Sequence, residues 1–210
     1  MSNIKALQWR YATKKFNADK ILSAEKVEIL KHAFNLTATS YGLQPLKLVI
    51  VQNKEIQKQL QTFSFNQRQV STASQVLIIC IEKEVGKEFI EDYFKRVKHI
   101  RETPDEVLAP FRDFLVGDFK TKAKTEITNW VINQAYLSLG NLLTVCAVEE
   151  IDACPMEGFL PEKYDELLGL DKQNLKSVLA LPVGYRAKDD IFSEFKKVRR
   201  QLEDVIIEIN

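Results

Sequence analysis

Residues 129–150 read NWVINQAYLSLGNLLTVCAVEE, and the packing of the whole chain turns on this stretch. Val131, Ala135, Leu139, Leu142 and Leu143 recur at helical spacing, and further apolar residues occupy the other faces. That is the pattern of a helix buried nearly all round. A subunit interface would supply the extra cover.

On either side lie short β-branched runs. Leu46 to Gln52 (LKLVIVQ), Val76 to Glu82 (VLIICIE) and Ser177 to Tyr185 (SVLALPVGY) are too short for good helices and are bounded by polar segments. The first two are expected to be central strands, the third a buried one, and Ile151 to Pro155 a brief one. Ser23 followed by Glu25 predicts an N-cap and a helix to about Asn35, with Val27, Leu30 and Phe34 on its apolar side. Lys54 to Phe63 and Glu162 to Leu168, the latter after Pro161, are expected helices. Glu88 to Ala123 is charged and aromatic, and Pro104 and Pro110 predict two irregular helices. The end, DVIIEIN from Asp204 to Asn210, is β-prone; left bare it would be an aggregation hazard, so it should pair, for instance with a neighbouring subunit. Strands and helices mix without strict βαβ alternation, which points to an α+β fold with a mixed sheet between helices. With no linker or repeat, residues 1–210 read as one domain.

Composition removes several function classes. The 30 basic and 29 acidic residues nearly cancel, so no overall field draws the chain to nucleic acid or an anionic membrane. The amino terminus lacks a signal-peptide core, and no run of about 18 uncharged apolar residues is found, so a cytoplasmic location is expected. Cys80, Cys146 and Cys154 are far apart and lie among apolar neighbours, as reduced buried thiols do. With His32 and His99 the only imidazoles, no metal site is expected. Seven glycines, at 42, 86, 117, 140, 158, 169 and 184, allow neither GxGxxG nor a Walker A loop, and there is no GxSxG.

Two basic clusters remain: Arg10, Lys14 and Lys15 in RYATKKF, and Lys196, Lys197, Arg199 and Arg200 in FKKVRR. Each alone reads more readily as a solvated face than as an anion site. Taken with other segments they carry a resemblance. ALQWRYATKKF (6–16), TATSYGLQP (37–45), FNQRQVSTAS (65–74), Gln134, PMEGF (155–159) and KVR (197–199) resemble, in order, the motifs of the FMN-dependent nitroreductase family.

The resemblance implies the nitroreductase-like fold as an intertwined homodimer, its C-terminal strand added to the partner's sheet. It implies FMN as cofactor, NADH or NADPH as reductant, and ping-pong hydride transfer through flavin N5 to a small acceptor such as a nitroaromatic, quinone, pteridine or flavin. Storage or regulation by a flavin-binding protein without turnover is the alternative. The cofactor-binding set it implies begins with Arg10, Lys197 and Arg199 on the phosphate, where guanidinium gives a forked, charge-assisted grip. Lys14 lies near N1 and O2, where negative charge gathers on reduction. Tyr11 and Ala12 belong to the same segment. Asn66 meets the pyrimidine edge. Thr39 and Ser40 reach the ribityl chain or ring edge, Gln134 has a counterpart in the family, and Pro155 and Met156 pack on the ring. Glu157 and Gly158 present backbone N–H groups to N5 and O4, and Gly158 lacks a Cβ that would block the approach. No side-chain acid or base is required. The sequence departs from the family at Tyr11, Ala12, Gly42, Leu46 and Gln69, which bears on substrate range and redox potential more than on flavin binding.

Overall fold

The structure, a computed structural model, describes residues 2–209. Its centre is a four-stranded sheet built from β1 (Leu46–Val51), β2 (Gln75–Glu82), β3 (Asp152–Ala153) and β4 (Leu175–Gly184), in the order β1-β2-β4-β3. Every strand pairing is antiparallel. The expected mixed sheet is therefore corrected: among the described residues the one parallel pairing is an isolated bridge, Ala12 with Ala153. Leu46–Val51 is also not central. It forms an edge, with Leu48, Val49 and Ile50 only half-buried.

The unbroken apolar run of β2 follows from burial on both faces. Leu77, Ile79 and Ile81 enter one core cluster, and Val76, Ile78 and Cys80 the other, because successive side chains leave a strand on opposite sides. At about 2 kcal/mol per fully buried side chain, this strand alone contributes on the order of 10 kcal/mol of hydrophobic stabilisation.

The first face is covered by α2 (Ala24–Asn35) and α7 (Lys124–Val148), the second by α3 (Lys54–Thr62), α4 (Gln69–Thr72) and α8 (Pro161–Leu168); α1 (Asn3–Trp9) packs on α7. Ser23 caps α2 by accepting from the Lys26 N–H, and Pro161 opens α8, both as the sequence implies. Helix α7 starts a turn earlier than expected, at Lys124, and its burial is one-sided. Tyr136 is 44% exposed and Leu137 55%, while Val131, Ala135, Leu139 and Leu142 face the sheet. It is long and apolar enough to cross a bilayer by length and composition, which qualifies the sequence reading, but here it is a core helix.

Helices α5 (Lys87–Arg101) and α6 (Asp105–Thr121) are regular rather than irregular. Pro104 stands at the N-cap position of α6, while Pro110 lies inside it and interrupts nothing, since one missing hydrogen bond is outweighed by the burial of Leu115 and Phe119. The carboxyl-terminal segment is not a strand within this chain. After a short turn at Leu202–Asp204, Val205 to Ile209 are exposed, Ile207 and Ile209 by 90% and 93%. Asn210, the last residue of the expected strand, lies outside the described residues.

Candidate functional site

Both basic clusters meet at one end of the sheet. Arg10 closes α1 as its C-cap, and the chain then runs extended along β3: Ala12 bridges Ala153, Thr13 N–H donates to the Ala153 carbonyl at 3.2 Å, and Phe16 bridges Arg186. After β4 the chain returns over this segment. The Ala187 N–H donates to the Lys15 carbonyl, and the buried Asp190 carboxylate accepts from Tyr11 Oη (2.9 Å), Lys14 N (3.0 Å) and Lys15 N (3.2 Å).

Between the two strands of chain lies a cavity of about 320 Å³. Arg10, Tyr11, Ala12 and Lys14 form one bank; Phe192, Phe195, Lys196, Lys197 and Arg199 form the other. The Lys197 ammonium donates to the Arg10 carbonyl. Burial holds Arg10 below the usual guanidinium range, with Arg199 adding repulsion, and burial followed by Arg10, Arg199 and Arg186 lowers Lys197. Among the described residues, Arg10, Lys14, Lys197 and Arg199 form no ion pair with any carboxylate. Cations crowded together without a counter-charge suit a multiply charged anion, and the two guanidinium groups among them suit a phosphate.

A polar thread runs from this basin to the Pro155–Gly158 turn. Lys14 Nζ is 3.8 Å from Cys154 Sγ; Gln69 Nε2 lies 4.0 Å from the same sulfur and donates to Gln67 Oε1, whose amide donates to the Gly158 carbonyl at 2.9 Å. Met156 exchanges two backbone hydrogen bonds with Ala180, which fixes the turn against β4. Phe65 and Asn66 both take left-handed backbone conformations, and both are exposed. At Gly158 the atom nearest an added Cβ is Gln67 Nε2, at 3.1 Å, so the glycine serves the packing of this loop as well as any ligand. The Glu157 side chain is not idle: Tyr136 donates to its Oε1 at 2.7 Å.

Thr39, Ser40 and Gln134 form a separate cluster. Gln134 is buried in α7, takes the Ser40 N–H on its Oε1 at 2.8 Å and gives its amide to the Trp130 carbonyl. Thr39 Oγ1 accepts from Gln44 N. Among the described residues no hydrogen bond joins this cluster to the basic basin, so one chain presents two groups of candidate residues and does not bring them together.

The sequence reading missed Asp190, Gln67, Tyr136, Phe192 and Phe195. Nothing in the run Asp189–Asp190 marks the second residue as buried: Asp189 is exposed and pairs with Lys15.

A model of the Nitroreductase family matches residues 7–185. The chain belongs to the nitroreductase family. Among curated relatives of this nitroreductase, the Staphylococcus epidermidis protein named "Putative NAD(P)H nitroreductase" is 32% identical, over 97% of this chain and 94% of its own. The nitroreductase fold is shared with the YdfN structure from Bacillus subtilis, at TM-score 0.87 and 18% identity over 98% of each chain. It is shared too with a nitroreductase in complex with FMN from Exiguobacterium sibiricum, at TM-score 0.84 and 19% identity, over 100% of this chain and 98% of that one.

Proposed function

We propose that residues 1–210 form one FMN-binding domain of a cytoplasmic oxidoreductase that uses NADH or NADPH to reduce a small acceptor, with no nucleic-acid or membrane partner. One observation carries the reading: Arg10, Lys197 and Arg199 converge from distant parts of the chain on one cavity and pair with no carboxylate among the described residues. FMN carries a phosphate dianion, and its binding would relieve the mutual repulsion of these cations.

FMN, when bound, would supply two-electron hydride chemistry between a reduced nicotinamide and the acceptor, in ping-pong order. The chain's own residues do the rest. Arg10, Lys197 and Arg199 hold the phosphate. Lys14 provides positive charge beside the Pro155–Gly158 turn, where it favours an electron-rich ring edge. Asn66, Pro155, Met156 and the Glu157 and Gly158 backbone orient the ring, and Tyr136 steadies the turn through Glu157. Thr39, Ser40 and Gln134 are assigned to the flavin held mainly by a second copy, as an intertwined homodimer requires. The exposed face of α7, the outer edge of β1 and the apolar tail 205–209 support that assembly.

The departures at Tyr11 and Gly42 do not favour a storage role. Tyr11 is occupied with Asp190, and Gly42 accommodates Tyr93. The purified protein is expected to be yellow, to bleach on anaerobic addition of NADPH, and to oxidise NADPH steadily with a quinone present. A colourless preparation that takes up no added FMN would sink the proposal; flavin that stays oxidised would leave only binding.

A further inference from the structure

We infer that Asp190 is the positioning residue of the anion site, the group that sets the distance between its two cationic banks. The inference rests on the FMN reading above. Tyr11 and Asp190 are 179 residues apart along the chain, yet their side chains are 2.9 Å apart. The cavity's banks are the segments on which these two residues sit, and both banks are cationic. Repulsion between Arg10 and the Lys197–Arg199 pair pushes the banks apart; the Lys197 ammonium on the Arg10 carbonyl ties them at the exposed side, and Asp190 ties them at the buried side.

Asp190 is only 3% exposed, and both of its oxygens are engaged. Oδ2 accepts from the Tyr11 hydroxyl and from the Lys14 and Lys15 N–H groups; Oδ1 accepts from Phe192 N at 3.3 Å, and the Asp190 carbonyl from Ser193 Oγ. The first three contacts grip the amino-terminal bank. The last two start the turn Ile191–Glu194 that leads into Lys197 and Arg199. With its lone pairs committed to this frame, the carboxylate acts on the ligand through the cations it spaces.

An asparagine cannot replace it. One oxygen accepts from the amino-terminal bank and the other from the Phe192 N–H, so an amide NH2 in either place would face donors. The side chain would have to give up either the Tyr11, Lys14 and Lys15 donors of the other bank or the Phe192 N–H that starts its own turn.

Flavin-free full-length protein, titrated separately with FMN and with riboflavin by quenching of flavin fluorescence, tests this. Riboflavin lacks the phosphate, so the ratio of the two affinities reads the anion site alone. Asp190→Asn is expected to weaken FMN by roughly 10–100-fold, the worth of one or two charge-assisted hydrogen bonds, and riboflavin by less than about twofold. Equal weakening of both ligands, or unchanged FMN affinity, overturns the inference. Should Asp190→Asn not fold, Tyr11→Phe removes one of the hydrogen bonds and is expected to lower the FMN-to-riboflavin ratio about fivefold; an unchanged ratio overturns it equally. If the wild type binds neither flavin, the proposed function fails, and the inference is then read from inorganic phosphate. A rise in Tm with phosphate that is lost in Tyr11→Phe and Asp190→Asn supports it, and any other pattern rejects it.

Discussion

The phenolic oxygen of Tyr93 stands 2.8 Å from the point a Cβ on Gly42 would occupy. Gly42 also has a φ of +71°, where side chains are strained. Gly42→Ala is therefore expected to lose about 1–3 kcal/mol in urea denaturation. In a Tyr93→Phe background the steric part of that loss should disappear, leaving the backbone part. Equal losses in the two backgrounds would show that the contact does not matter.

Arg186 lies between two aromatic rings, 4.2 Å from the centroid of Trp9 and 4.6 Å from that of Tyr11, and pairs with the buried Asp152 at 2.6 Å. Removing its guanidinium leaves a carboxylate that is 5% exposed with no counter-charge and only the residue 186 backbone N–H as donor. Arg186→Ala is expected to destabilise by about 3–5 kcal/mol. A measured loss under about 1 kcal/mol would mean that solvent screens the pair.

Burial pushes the Cys80 and Cys146 thiols up to about 12. Raised thiol values mean that the folded state holds these protons more tightly than the unfolded chain does, whose thiols titrate near 9. The resulting stabilisation is complete below about pH 9 and is lost as the pH rises through about 12. Native protein at pH 8 should leave both thiols unlabelled by Ellman's reagent until denaturant is added. Rapid labelling of either in the native state would contradict their burial.

Lys197→Ala with Arg199→Ala removes two charges from an exposed segment, so the fold should survive. FMN affinity is expected to fall at least about 100-fold, because the phosphate is deprived of two charge-assisted hydrogen bonds. The salt dependence of binding should flatten as well. Full flavin occupancy in the double variant would disprove the phosphate assignment.

Val205, Ile206, Ile207 and Ile209 are exposed, and β1 has an open edge. If the proposed homodimer forms, truncation after Asp204 is expected to weaken it, seen by sedimentation as a concentration-dependent shift towards monomer. A truncated protein that keeps the wild-type sedimentation profile at every concentration would remove the tail from the assembly.

The elements that depend on local pattern were legible. The Ser23 cap, Pro161 at a helix start and the central strand at 76–82 follow from neighbours a few residues away, and the structure has all three. What failed depended on distant partners. Leu46–Val51 has the composition of a central strand, but edge or centre is decided by whether another strand lies beside it. Pro110 looked like a break because its cost is local, whereas the burial that outweighs it comes from Leu115 and Phe119. The basic clusters could be brought together only through the family resemblance, and Asp190, which joins them physically, carried no mark of its own.

The basin between Arg10 and Arg199 has one wall near each terminus. Neither wall is a local motif: the grip on an anion exists only where β3 and β4 bring the two distant segments side by side. A peptide carrying either wall alone is expected to hold an anion no better than any solvated basic segment.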